Sequence, residues 1–222
     1  MLGAVKSRGS DRLRHHEARE HSRKALELFI AADSTGGRAR ALNNLGYTNA
    51  LLGEHQVALE YCQAALILHQ ELGDRHGQAA TLDSIALAHH HFGRYREAID
   101  GYREALTMFA ALGNRYFMAN TSRRLGDVHL DAGRPDEARR YWQEALAILD
   151  DLDHTDAAKV REKLRQLGTS AAVDDRQGIG SVRAALGAMT DRPPVPGHKS
   201  PLQSSVQSFD ARKKILRRRR DS

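Results

Sequence analysis

Small and apolar residues return along this chain at helical spacing, and then the whole pattern returns again. In Glu54–Leu72 the positions Ala58, Cys62, Ala65 and Leu66 share one helical face. Forty residues on, the same face reads Ala98, Tyr102, Ala105 and Leu106, and forty further it reads Ala138, Trp142, Ala145 and Leu146. A preceding segment carries a second column, Leu45–Gly46, Ile85–Ala86 and Leu125–Gly126, at the same interval of 40. A fixed period of this size predicts stacked repeats, each of which buries its apolar face only against a neighbour.

Each unit reads as two helices. The first is predicted over Arg38–Leu52, Gln78–Phe92 and Met118–Ala132. The second is predicted over Glu54–Leu72, Arg94–Leu112 and Arg134–Leu149. Gly53, Gly93 and Gly133 fall between them, where a helix ends at positive φ and glycine meets no steric cost. Gly73 and Gly113 close the second helices in the same way, whereas Asp153 holds the third such place and predicts a softer stop. Small residues at 46, 86 and 126 let neighbouring backbones approach.

The predicted fold is therefore all-α, with residues 1–14 as a flexible N-terminus and a helical-hairpin stack over 15–168. The stack divides into a half repeat at 15–37, with a helix near His15–Ala32, and repeats at 38–77, 78–117 and 118–156. A capping helix at 157–168 presents Val160, Leu164 and Leu167 on one side and charge elsewhere.

Charge changes the picture at one end. Residues 169–222 hold 11 Lys/Arg against 5 Asp/Glu, so they carry the whole net charge of +6. They also hold four of the five prolines and lose the period, which predicts a disordered basic tail. Within it Arg212, Lys213, Lys214, Arg217, Arg218, Arg219 and Arg220 suit the phosphates of nucleic acid or an acidic partner. No aromatic is interleaved there, so base stacking is not indicated.

Cys62 is the single cysteine, which excludes an internal disulfide and fits a reducing cytoplasm. No long apolar run suggests a leader or a membrane span. No nucleophile-and-base grouping stands out, so no enzyme activity and no cofactor are expected. His89, His90 and His91 are consecutive and point about 100° apart around a helix, which argues against a shared metal ion. His89 and His129 hold equivalent places, and facing each other they would make stability sensitive to pH.

The columns Gly46, Ala58, Ala65; Ala86, Ala98, Ala105; and Gly126, Ala138, Ala145 resemble the tetratricopeptide repeat. Its usual tryptophan is Leu42, Leu82 and Ser122 here, and the unit is 40 residues long rather than the family's usual 34. With "ALNNLGY" and "ELGDRHGQAATLDSIALAHHHFG", the stretch Ala18–Gly168 is similar to the C-terminal repeats of actinobacterial regulators of the Streptomyces antibiotic regulatory protein type. No G-x-x-x-x-G-K-[ST] run accompanies it, so the nucleotide and DNA functions of those regulators are not carried over.

The resemblance implies a right-handed helical-hairpin solenoid whose first helices line a concave side. Helical spacing then places Arg40, Asn43 and Tyr47, Asp83, Leu87 and His90, and Arg123, Asp127 and Leu130 in a groove. Such a groove suits a peptide or partner protein within a transcriptional regulatory system. Two other readings are a nucleic-acid or acidic-partner contact through the tail, and a sensor of a signal peptide or small molecule.

Overall fold

A computed structural model describes residues 2–169, with side chains from residue 10 onward. The described residues form eight helices and no strand. These are α1 (Leu2–Ala31), α2 (Thr35–Leu52), α3 (His55–Glu71), α4 (Arg75–His91), α5 (Tyr95–Ala111), α6 (Arg115–Asp131) and α7 (Pro135–Asp151). The last, α8, covers 157–169.

The turns obey a period of half a repeat. Gly53, Gly73, Gly93, Gly113 and Gly133 all have positive φ, between 63° and 88°, and Asp33 and Asp153 continue the series at 49° and 47°. The hinge positions expected for Gly53, Gly93 and Gly133 are thus observed. Asp153 corrects the expectation of a softer stop. Its N–H reaches Asp150 O at 3.1 Å and that of His154 reaches Leu149 O at 2.9 Å, the same closure seen at Gly133 and Arg134. Both aspartates therefore hold a conformation that glycine adopts without strain. Replacing Asp153 with Gly is expected to stabilise the fold by up to about 1 kcal/mol, and Gly93→Ala to cost about 1–2 kcal/mol. No atom lies within 4 Å of a Cβ added at Gly93, so that cost is wholly backbone. Urea midpoints measure both changes.

The first helices begin three residues earlier than the apolar grid indicates. Ser34, Asp74 and Asn114, also 40 apart, accept hydrogen bonds from the N–H groups of Gly37, Gly77 and Phe117. Each satisfies one orphan donor of a helix start. The grid hides these starts because Gly36, Gly37 and Gly77 read as loop. Gly77 is needed for packing instead, since a Cβ there would sit 2.1 Å from His69 Nδ1. The N-terminus is also corrected: α1 is helical from Leu2, where residues 1–14 were expected to be flexible. This stretch contains no proline to interrupt a helix.

The second helix α3 packs between α2 and α4, α5 packs between α4 and α6, and α7 packs on α6. Ala58, Ala65, Ala98, Ala105, Ala138 and Ala145 are completely buried. The two small-and-large columns interlock. A Cβ at Gly46 would lie 2.2 Å from Cys62 Sγ, and one at Gly126 would lie 2.3 Å from the Trp142 ring. Buried hydroxyls on the first helices are satisfied locally, as when Thr81 Oγ1 donates to Gly77 O at 2.8 Å. At the far end α8 lays Val160, Leu164 and Leu167 against Trp142, Leu149 and Ala119. The first helices α2, α4 and α6 also touch one another directly, which second helices do not do to a comparable extent. First helices therefore crowd the inner side of the stack and second helices splay along its outer side.

Candidate functional site: a polar row on the inner face

Three successive first helices contribute to one row. Tyr47 comes from α2, Asp83 from α4, and Arg124 and Thr121 from α6. The Arg124 guanidinium donates to Asp83 Oδ2 and, at 3.3 Å, to the Tyr47 hydroxyl. It also lies 5.2 Å from the centre of the Tyr47 ring. Thr121 Oγ1 donates to Asp83 Oδ1 at 3.0 Å. The Arg124 and Asp83 side chains keep only 13% and 14% exposure. Burial acts to lower the Arg124 pKa, but Asp83, Tyr102 and Tyr47 outweigh it and hold the guanidinium firmly charged. Close by, the Tyr102 hydroxyl is buried without a hydrogen-bond partner, and that burial pushes its pKa up.

A second cluster centres on Asp127. Arg123 Nη1 donates to its Oδ2 at 3.0 Å, and Trp142 Nε1 donates to its Oδ1 at 2.9 Å. Lys163 of α8 brings its ammonium within 3.0 Å of the same Oδ1. Arg123 Nη2 is fixed by Asn120 Oδ1 at 3.0 Å. Further along, His90 Nε2 lies 2.8 Å from Asp131 Oδ2. The long side chains are therefore positioned by ion pairs rather than left to rotate. Such a surface offers donors, acceptors and ring faces at fixed places to an incoming chain.

The expected groove residues divide into three groups. Tyr47, Asp83, Arg123, Asp127 and His90 join the networks just described. Arg40 and Leu130 are exposed, and Asn43 is half-buried with an unpartnered Oδ1. Leu87 is corrected: it is 6% exposed and belongs to the core. Sequence reading missed Arg124, Thr121, Asn120 and Lys163. Arg124 is the immediate neighbour of Arg123, and only the curvature of the stack selects it to span three units. The tail positions Arg212, Lys213, Lys214, Arg217, Arg218, Arg219 and Arg220 lie outside the described residues.

The histidines do not pair as expected. His129 stacks on Tyr141, with ring centres 5.2 Å apart, rather than on His89. His91 brings Nδ1 to within 3.2 Å of Ala50 O. Burial lowers the pKa of His89, His91 and His129 below the ordinary 6.5. In the range just under 6.5 the unfolded chain thus binds more protons than the folded one. The stabilisation is complete above that value and is lost as pH falls towards the folded-state values. The midpoint of thermal unfolding is expected to drop between about pH 8 and pH 5.5, and an unchanged midpoint would refute the coupling.

Residues 37–111 match one tetratricopeptide-repeat model and residues 119–152 match another. These two stretches carry tetratricopeptide repeats. Among solved structures, the tetratricopeptide stack is similar to BtubC (BKLC) from P. vanneervenii at 20% identity and a TM-score of 0.59, covering 90% of this chain and 82% of that one. A Rap protein complexed with Competence and Sporulation Factor aligns at 17% identity and a TM-score of 0.66, over 82% of this chain and 52% of its own. A putative kinesin light chain from Podosopora anserina with nearly identical TPR-like repeats aligns at 15% identity and 0.55, over 86% and 95%. At these identities the likeness is one of fold. No curated protein matches the sequence. Among the described residues, no helix is long and apolar enough to cross a membrane.

Proposed function

We propose that this chain is a protein-interaction scaffold that receives a peptide or a partner protein along its inner face. The observation that carries the reading is the row Tyr47–Asp83–Arg124, in which side chains from three tetratricopeptide units are locked into one surface. A stack that existed only to pack would have no need of ionic groups in this row, because apolar residues of similar volume are often as stable. The Rap structure, solved with Competence and Sporulation Factor, fits a fold of this kind that engages a partner. A place in a bacterial transcriptional regulatory system rests on the wording shared with the actinobacterial regulators, and sensing of a signal peptide is compatible with the same face.

The test uses two exposed residues of the expected groove, Arg40 and Leu130. A partner captured by the full chain is expected to be lost on Arg40→Glu and Leu130→Glu, with helicity unchanged by circular dichroism. Capture that survives both changes but disappears when residues 170–222 are removed or salt is raised would move the interaction to the tail.

A further inference from the structure

A second concave feature lies where α1, the α2–α3 hinge and α4 meet. It is a hollow of about 510 Å³ lined in part by Arg12 and His15 of α1, His55 of α3 and His91 of α4. None of the groove residues discussed above lines it. Three imidazoles and a guanidinium thus converge on one space. The His55 and His91 rings are 6.2 Å apart, edge to face. His91 Nδ1 contacts the Ala50 carbonyl, which requires a proton on that nitrogen and leaves Nε2 to meet a ligand or a second proton. His55 Nδ1 is buried and has no hydrogen-bond partner.

The carboxylates around this region have cationic partners of their own. Asp11, which also lines the hollow, pairs with Arg14; Glu54 pairs with Arg19 at 2.9 Å; and Asp131 pairs with His90 at 2.8 Å. From α6, Arg124 adds further positive potential at His91, as does His90 from its own helix. Tyr95 of α5 approaches His90, with ring centres 6.2 Å apart. The hollow therefore gathers potential cations faster than it gathers anions.

We propose that this hollow is an anion site in which Arg12, His15, His55 and His91 together hold a small carboxylate or phosphate group. Arg12 supplies a permanent charge. Each imidazole can present an N–H to the anion, and at His91 a bound anion offsets the burial and the His90, His55 and Arg124 charges that oppose its protonation. Protonating His91, which burial opposes, adds a donor on Nε2, so binding strengthens as pH falls. Leu51 and Leu52 line the same hollow.

The experiment follows the histidine Cε1–H resonances of the full chain by NMR during titration with inorganic phosphate and, separately, acetate. Phosphate, acetate or both are expected to shift the His15, His55 and His91 signals, with affinity about tenfold weaker at about pH 8 than at about pH 6. The anion that produces the larger shift identifies phosphate or carboxylate as the preferred group. In Arg12→Gln and in His55→Gln the remaining signals should no longer respond, while circular dichroism is unchanged. Phosphate held by the basic tail would leave these three signals unmoved. The proposal is overturned if neither anion shifts them at the lower pH. It is equally overturned if the shifts survive both substitutions.

Discussion

Trp142→Ala is expected to destabilise the fold by about 3–5 kcal/mol, the range for removing a large buried aromatic. Trp142 is the largest fully buried side chain, with 2% exposure. Its ring fills the space that Gly126 leaves open, and its Nε1 donates both to Asp127 Oδ1 at 2.9 Å and to Arg123 O at 3.1 Å. Truncation would open a cavity between α6 and α7, remove a donor from Asp127 and loosen the seat of α8, whose Val160 and Leu164 pack in the same cluster. The reciprocal change, Gly126→Ala, places a methyl where the indole already lies and is expected to cost about 1–3 kcal/mol. Combining the two changes should cost less than their sum, because the added methyl partly fills the cavity. Urea denaturation of the four proteins measures the coupling, and strict additivity would show that Gly126 and Trp142 do not share one packing site.

Asp83→Ala is expected to cost a further large amount, about 3–5 kcal/mol, the range for removing one partner of a buried ion pair. The substitution strands the Arg124 cation at 13% exposure without a carboxylate partner, its contact with the Tyr47 hydroxyl and ring remaining, and it deprives Thr121 of its acceptor. Replacing both charges, as Asp83→Leu with Arg124→Met, is expected to restore most of the stability, because the desolvation penalty disappears along with the attraction. Partner binding should not return with it if the row serves recognition. A double variant that is stable and still binds would assign the Asp83–Arg124 pair to folding alone.

These two sites mark the boundary of what could be read from the chain. The recurrence of Ala58, Ala98 and Ala138, and of Gly53, Gly93 and Gly133, was legible because backbone conformation and close approach constrain residue type directly. The caps Ser34, Asp74 and Asn114 were equally periodic, but the glycines beside them mimicked a loop. Asp33 and Asp153 were harder. An aspartate at positive φ is uncommon, and only its place in the series of hinges reveals it.

The sequence by itself determined the repeat, the helical-hairpin unit and the hinge glycines. Each follows from local rules of period, capping and steric size, which act over a few residues. Tertiary structure alone decided that Leu87 turns into the core while Arg124 reaches across to Asp83 and Tyr47. It likewise decided that His129 meets Tyr141, and that Arg12, His15, His55 and His91 gather around one hollow. Those contacts join residues tens of positions apart, and a small change in how each hairpin leans on the next would reassign them all. That lean is fixed by the summed packing of many side chains, which no single stretch of sequence displays.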